Sequence, residues 1–393
     1  MVTRIIWVVL DGVGLGALPD AYLYGDQGAD TLGHTAEAVG GLKLPNLESL
    51  GLGNLSRARG LRPRGDAAGA YARMKEVSPG KDSTTGHWEL AGVILDRPFP
   101  VYPQGFPPEL VEEFQRRIGR EVLGNKPASG TEIIEELGEE HLRTGKPILY
   151  TSADSVFQLA AHKEVVPLEE LYAMCRAARE MLRGEHAVSR VIARPFTGEP
   201  GRFVRVGSER LDLSLPPPRP TVLERCAAAG LPVIGVGKVG DLYAGRGFLR
   251  SPHTSGNAET MARLIEEVRA GGEGILMANL VDFDMVYGHR RDAPGFAGAL
   301  EEVDGFLPRI TGAMRKEDFL ILVSDHGCDP TFRGTDHTRE YALLLAWGGG
   351  MRGGLDLGTR ESFADVGRSI ADLLGIDGEG LDGKSFAAGL RLS

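Results

Sequence analysis

The chain has 393 residues, of which 42% are hydrophobic and 25% are charged, an ordinary globular composition that allows a sizeable core. Its formal charge of −10 argues against a nucleic acid or an anionic membrane as a partner, because both are bound through basic surfaces. No apolar run approaches the ~20 residues of a membrane span, and the run at 5–10 is too short for a signal peptide. We therefore expect a cytoplasmic protein.

Two proline-rich stretches divide the chain. RPFPVYPQGFPP at 97–108 and LPPPRP at 215–220 can each form a stiff, extended connector. The part between them alternates helix-like and strand-like segments. Helices are predicted at 110–123, 131–143 and 168–183, and strands at 147–151, 189–194 and 202–206. Residues 99–217 are therefore predicted to form an inserted α+β cap domain.

Short apolar runs recur outside this insert. They read IIWVVLDG, LPVIGVG, GILMANLVDFD, FLILVSDHG and YALLLAWGG. Continuous apolar runs of this length are typical of strands buried on both faces, as in a parallel sheet covered by helices. Residues 1–98 and 218–393 are therefore predicted to form one discontinuous α/β core with a mainly parallel sheet flanked by helices.

Acidic residues and histidines follow three of these runs. The carboxylates are Asp11, Asp284 and Asp325, and the histidines are His289, His326 and His337. A single aspartate after a strand is more often a helix cap or turn former, but ligands of open α/β sheets bind beyond the carboxyl ends of the strands. Mixed carboxylate and imidazole ligands suit Mn²⁺ or Zn²⁺. The joint pattern predicts a site for two metal ions.

Three consecutive hydroxyls occur in GKDSTTGHWE at 80–89, a stretch with neither helical nor strand periodicity. By itself it is typical of a polar loop containing a helix cap. An alcohol is a weak nucleophile that a metal can activate, so beside a metal site one of these hydroxyls is a candidate nucleophile. Residue type and spacing do not say which one.

Five blocks in this order carry a resemblance to a known family. VVLDGVGLG, GKDSTTGHWE, NLVDFDMVYGHRRD, SDHGCDP and GTDHTRE together resemble the phosphopentomutase family of the alkaline phosphatase superfamily. The resemblance implies an alkaline phosphatase-like α/β core, an inserted cap, two Mn²⁺ ions and the interconversion of ribose 1-phosphate and ribose 5-phosphate, including the deoxyribose analogues. It further implies a phosphothreonine, a sugar bisphosphate intermediate, and an activator such as glucose 1,6-bisphosphate.

The same resemblance assigns individual residues. It implies one metal held by Asp284, His289 and His337, and another held by Asp11, Asp325 and His326. Thr85, directly before GHWE, matches the phosphorylated threonine of the family. The implied sugar-phosphate contacts are Ser152, Asp154, Arg190, Arg205 and Lys238.

Four other functions compete with this interpretation. A phosphatase or a cofactor-independent phosphoglycerate mutase of the same superfamily would share the metals, and a non-catalytic binding protein would share the fold. Gly235, Gly237 and Gly240 also have the GxGxxG spacing of a dinucleotide site, but no acidic ribose contact follows them in a βαβ unit. The hydroxyls beside six candidate ligands argue against the binding protein, which needs no activated nucleophile, and GHWE argues against the phosphoglycerate mutase. Free phosphate as the main product would identify a phosphatase.

Overall fold

The polypeptide divides into two compact units. A computed structural model describes residues 2–152, 154–348 and 350–390. Unit 1 comprises Met1–Pro98 with Pro217–Ser393, and unit 2 comprises Phe99–Pro216. Both boundaries fall within the proline-rich stretches. No helix in the described part of the chain is long and apolar enough to cross a membrane.

The helices and strands are numbered in chain order. The first part of unit 1 contains β1 (Arg4–Leu10), β2 (Gly14–Ala17), α1 (Thr31–Ala38), α2 (Pro45–Leu50), α3 (Leu52–Leu55), β3 (Ala70–Met74) and α4 (Ser83–Leu90). Unit 2 contains α5 (Pro108–Ile118), β4 (Leu123–Pro127), α6 (Gly130–Thr144), β5 (Ile148–Thr151), β6 (Val156–His162), α7 (Leu168–Met181), β7 (Arg190–Thr197), β8 (Val204–Arg205) and β9 (Leu211–Ser214). Unit 1 then continues with α8 (Val222–Ala228), β10 (Val233–Val236), α9 (Val239–Leu242), α10 (Asn257–Ala270), β11 (Gly274–Leu280), a π-helical turn (Phe283–Gly288), α11 (Ala293–Thr311), β12 (Asp318–Val323), β13 (Glu340–Gly348), β14 (Leu355–Arg360) and α12 (Ala364–Leu374).

The sheet of unit 1 has the strand order β10-β11-β1-β12-β13-β3-β14, with β2 beside β13. The strands β10, β11, β1 and β12 run parallel, and every residue of β1, β11 and β12 is buried. Burial on both faces explains their continuous apolar sequences. The predicted α/β fold, with a mainly parallel sheet flanked by helices, is confirmed.

The fifth apolar run departs from the parallel arrangement. β13 is antiparallel to both β12 and β3. A parallel neighbour needs a crossover that carries the chain back over the sheet, usually as a helix. The segment 324–339 between β12 and β13 contains no helix among its residues, all of which are described. This segment joins β12 to its antiparallel neighbour β13 without crossing the sheet, and it carries three of the candidate ligands.

The sheet of unit 2 has the order β4-β5-β6-β7-β8, with β9 beside β7. α6 packs with Ile148, Tyr150 and Phe196 on one face, and α5 and α7 cover the other. The helices and strands expected from the sequence are present in this unit. The strands β4, β6 and β9 were not predicted, because β4 contains glycine and proline, β6 is rich in alanine, and β9 is only half-buried.

Candidate metal centre and active site

The parallel strands end at the same level of the sheet. Val9 of β1 pairs with Asn279 of β11 and with Val323 of β12. The segments that follow these strands therefore start side by side at the carboxyl edge, where ligands of such sheets bind. The six candidate ligands lie in these segments or between β12 and β13, and the structure brings all of them together.

Asp11, Asp325 and His326 form the first cluster. His326 Nε2 lies 3.2 Å from Asp11 Oδ1 and 3.4 Å from Asp325 Oδ2. The other two carboxylate oxygens are held by the protein: Asp325 Oδ1 accepts a hydrogen bond from the Gly12 amide at 3.1 Å, and Asp11 Oδ2 accepts one from the Asn279 side chain at 2.7 Å. One oxygen of each carboxylate and one imidazole nitrogen therefore face a common point.

Asp284, His289 and His337 form the second cluster. The π-helical turn Phe283–Gly288 places Asp284 so that its Oδ2 lies 3.2 Å from His289 Nε2 and its Oδ1 lies 3.1 Å from His337 Nε2. His289 Nδ1 lies 2.6 Å from the carbonyl oxygen of Thr335. A carbonyl only accepts, so Nδ1 carries the hydrogen and Nε2 of the neutral ring is free to bind a metal.

The two clusters are adjacent. The rings of His326 and His337 lie 4.1 Å apart, and those of His289 and His337 lie 4.7 Å apart. Ligand atoms of Asp284, His326 and His337 lie within 4.8 Å of one another, as do those of Asp284, His289 and Cys328. Cys328 was not predicted as a ligand. The arrangement offers neighbouring positions for cations.

The donor atoms suit a metal. Asp284 Oδ1, Asp325 Oδ2 and His337 Nε2 are buried and have no hydrogen-bond partner among the described residues. They face other donors at short range without bonding to them, as ligands of a shared cation do. Carboxylate and imidazole are the donors that Mn²⁺ and Zn²⁺ accept, so these residues fit the metals expected.

Pairing of carboxylates with imidazoles raises the pKa of two histidines at the site and lowers the pKa of Asp284 and Asp325. A hydrogen bond to Asp284 raises the pKa of His289 to about 9. Burial lowers the pKa of His326, but the nearby Asp325 and Asp11 outweigh burial and raise it well above its ordinary value. Burial, followed by repulsion from Asp325, raises the pKa of Asp11. Added positive charge therefore stabilises the cluster.

The expected loop at 80–89 is largely a helix. Asp82 caps α4, its side chain accepting from the Thr85 amide at 3.1 Å, and every residue of 84–90 is buried. Because burial surrounds the helix, no amphipathic periodicity marks it. Consecutive residues point ~100° apart on a helix, so Ser83, Thr84 and Thr85 face different surroundings.

The structure places Ser83 beside the clusters and Thr85 away from them. Ser83 Oγ lies 3.1 Å from His326 Nε2 and 3.4 Å from Asp11 Oδ1. Thr85 is fully buried, and its hydroxyl donates to Asp82 at 2.6 Å. The geometry therefore favours Ser83 over Thr85, which the position before GHWE had indicated, because the Thr85 hydroxyl is buried and bonded within the helix cap. Aspartate is a common helix-capping residue, so Asp82 could have indicated from the sequence that a helix begins at Ser83.

The expected sugar-phosphate contacts are dispersed. In unit 2, Asp154 follows β5, its amide donates to Ser152 Oγ at 3.3 Å, and its carboxylate lies 4.0 Å from Arg190. Arg205 pairs with Phe196, roughly 20 Å further along β7 than Arg190 at ~3.3 Å per residue. The structure therefore brings Ser152, Asp154 and Arg190 together, while the Arg205 guanidinium and the Tyr150 hydroxyl both lie against Gly130 at the start of α6.

The remaining expected contact, Lys238, belongs to unit 1. It is exposed and directly precedes α9, and the glycines around it serve packing. A Cβ at Gly235 or Gly240 would lie 2.4 Å or 2.7 Å from the Ser251 side chain. The GxGxxG spacing thus allows the segment at Ser251 to approach β10 and α9.

Known proteins match the chain over nearly its full length. The model of the Metalloenzyme superfamily matches residues 241–378, a range that includes five of the six clustered ligands. The chain is 57% identical over 376 residues to the phosphopentomutase of Caldanaerobacter subterraneus subsp. tengcongensis, covering 96% of this chain and 95% of the relative. It is 55% identical over 388 residues to that of Carboxydothermus hydrogenoformans, covering 99% of both, and 52% identical over 383 residues to that of Dictyoglomus turgidum, covering 98% of this chain and 97% of the relative. The resemblance seen in the motifs is confirmed, and the chain belongs to the phosphopentomutase family of metal-dependent isomerases.

Proposed function

We propose that the chain interconverts ribose 1-phosphate and ribose 5-phosphate, and their deoxyribose analogues, through a phosphorylated Ser83 and a sugar bisphosphate. The observation that carries this proposal is the position of Ser83 Oγ, 3.1 Å from His326 Nε2 and 3.4 Å from Asp11 Oδ1. Ser83 is partly exposed, whereas Thr84 and Thr85 are buried. Among the three hydroxyls, only Ser83 combines access to a substrate with contact to candidate metal ligands.

The start of α4 favours negative charge on Ser83. Ser83 is the first residue of this helix, where free backbone amides and the positive end of the helix dipole stabilise anions. Asp82 is engaged with Thr85 through both carboxylate oxygens. A phosphoryl group on Ser83 would therefore meet the amides of the first turn.

The two clusters would hold two Mn²⁺ ions. Asp11, Asp325 and His326 would bind one, since their donor atoms converge. Asp284, His289 and His337 would bind the other, since the two oxygens of Asp284 lie beside the two imidazoles. Bound there, divalent ions lower the pKa of a nearby hydroxyl and neutralise phosphoryl oxygens. Asn279 and the Gly12 amide orient the carboxylates of the first cluster for this purpose.

The phosphoryl group would be transferred in two steps. In the first, the bond between Ser83 Oγ and phosphorus breaks, a bond from phosphorus to the free hydroxyl of the sugar monophosphate forms, and the hydroxyl proton passes to Ser83 Oγ. In the second, Ser83 Oγ attacks the phosphorus at the other end of the bisphosphate, and its proton passes to the released sugar oxygen. A bisphosphate such as glucose 1,6-bisphosphate would phosphorylate Ser83 initially.

Unit 2 would act as the cap domain and bind the sugar phosphate, while unit 1 carries the catalytic residues. Asp154 can bond sugar hydroxyls, and Arg190 and Arg205 can bond phosphate oxygens through their planar guanidinium groups. Ser152, and Lys238 of unit 1, would add further phosphate contacts. The three cysteines are free and buried, which agrees with a reducing, cytoplasmic location.

Peptide mapping after incubation with Mn²⁺ and glucose 1,6-bisphosphate tests the nucleophile. The wild type, Ser83→Thr and Thr85→Val should each gain one phosphoryl group at position 83. Ser83→Ala should gain none in 80–89 and lose at least about 10³-fold in turnover. Thr85→Val is the matched control because it keeps the shape of threonine without the hydroxyl. Phosphorylation at Thr84 or Thr85, or phosphate release as the main reaction, would contradict the proposal.

A further inference from the structure

The residues Gly86, His87, Trp88 and Glu89 take no part in the steps described above, yet all are buried. Each contacts a different part of unit 1. A Cβ at Gly86 would lie 2.2 Å from the carbonyl oxygen of Asp325, so α4 touches the backbone beyond β12 directly. Glu89 accepts hydrogen bonds from the amides of 77 and 78 and of 363, and from the hydroxyl of 362. The motif therefore holds α4 in place.

His87 connects two functional residues. Its Nδ1 lies 2.8 Å from the carbonyl oxygen of Ser83, one helical turn earlier, and 3.0 Å from Asp325 Oδ2. Both neighbouring oxygens only accept, so Nδ1 must carry the hydrogen. The hydrogen bond goes to the Ser83 carbonyl, and Asp325 Oδ2 lies against the same side of the ring at ion-pair distance. His87 Nε2 is buried and has no hydrogen-bond partner among the described residues. The tautomer with hydrogen on Nδ1 follows from these contacts.

We propose that His87 is a positioning residue that holds the metal-binding carboxylate of Asp325 against the backbone of the nucleophile Ser83. This inference rests on the proposed function. The Gly12 amide holds Asp325 Oδ1, and His87 Nδ1 lies 3.0 Å from Oδ2, the oxygen that also faces His326. Partners of this kind orient metal ligands and tune their affinity.

Neighbouring contacts fix the backbone of α4 at His87. The hydroxyl of Tyr243 donates to the carbonyl oxygen of His87 at 2.7 Å, and Trp88 Nε1 donates to the carbonyl oxygen of Leu242 at 2.8 Å. Both bonds join α4 to the end of α9. The backbone position of His87 is therefore held from the side of α9, and its ring lies between the Ser83 carbonyl and Asp325.

The variants His87→Asn and His87→Gln separate positioning from bulk. The amide nitrogen of asparagine can occupy the place of Nδ1, whereas that of glutamine reaches the place of Nε2. Calorimetric titration of metal-free protein with Mn²⁺, and kcat and KM for ribose 5-phosphate, should be measured for both. His87→Gln should lose about 10–100-fold in Mn²⁺ affinity and in kcat, with KM little changed. His87→Asn should stay within about threefold of the wild type.

Equal Mn²⁺ affinity and kcat in the two variants, whether both near the wild type or both reduced, would overturn the inference. The Mn²⁺ titration does not depend on which hydroxyl is phosphorylated, so failure of the Ser83 assignment would leave this comparison intact. Should His87→Gln not fold, ¹⁵N spectra of histidine-labelled wild type decide the matter. The resonance pair absent from His87→Asn should show a protonated Nδ1 and an unprotonated Nε2, and the opposite tautomer would refute the proposal.

Discussion

Arg339 donates a hydrogen bond of 2.6 Å to the carbonyl oxygen of Gly80, three residues before Ser83. The guanidinium is buried and also bonds the carbonyl oxygens of Ser78 and Glu76, together with the carboxylates of Glu76 and Asp20. It thus orders the segment that leads into α4 from a position two residues after a candidate metal ligand.

Replacing Arg339 by methionine should lower the free energy of unfolding by about 3–5 kcal/mol, because Glu76 is left as an unpaired buried carboxylate. The free energy of unfolding of Arg339→Lys should lie between that of the wild type and that of Arg339→Met, since an ammonium has three donors where the guanidinium has five. Urea unfolding measures both. A loss below about 1 kcal/mol in Arg339→Met, as for an exposed ion pair, would contradict the assigned role.

Lys81 joins the Ser83 segment to the segment of His337. Its Nζ lies 3.1 Å from both Asp26 and Asp336, and Asp26 is buried whereas the Asp336 side chain is 63% exposed. Lys81→Met leaves the buried Asp26 carboxylate without this partner and should therefore lower the free energy of unfolding by about 1–3 kcal/mol. Asp336→Asn removes an exposed pair and should lower it by less than about 1 kcal/mol. Chemical denaturation of both variants checks this order, and the reverse order would refute it.

Glu340 should make stability depend on pH. Burial raises its pKa from 4.5 to about 7, against hydrogen bonds from Thr31, Thr338 and Gly16. The folded state then favours the protonated carboxyl. The stabilisation that this provides is fully present below pH 4.5 and is lost as the pH rises through about 7. The difference corresponds to about 3 kcal/mol. Unfolding in urea from about pH 5 to about pH 8 measures it.

Glu340→Gln is the matched variant. Its amide oxygen can accept from the backbone amides of Gly16 and Thr31, and its nitrogen can face the hydroxyls of Thr31 and Thr338, which are able to accept. Because an amide does not ionise, its stability should fall less steeply than that of the wild type between pH 4.5 and 7. Identical profiles would show that Glu340 does not titrate in this range.

Metal affinity should weaken as the pH falls. The pKa of His289 is about 9 in the protein without metal, so below that pH a cation must displace its proton. The apparent affinity for Mn²⁺ should drop about tenfold per pH unit for each proton displaced. Titration calorimetry in buffers of different ionisation enthalpy measures the released protons. His289→Ala should release fewer, and His253→Ala, an exposed histidine outside the site, should match the wild type.

The candidate ligands could be predicted from local sequence because they follow buried parallel strands. Burial on both faces makes such strands continuously apolar, and parallel pairing brings their ends to one edge, so Asp11, Asp284 and Asp325 were recognisable beside their histidines. The direction of β13 was not recognisable, since an apolar run reads the same whichever way its neighbours point.

The family, the α/β core and the six candidate ligands could be recognised in the sequence alone. The order of the strands and the different surroundings of the three adjacent hydroxyls follow from the tertiary structure. A fully buried helix has no polar face to mark its orientation, so α4 was invisible as a pattern. Its rotation, set by the bonds of Trp88 and Glu89 to neighbouring segments, places Ser83 beside His326 and buries Thr85.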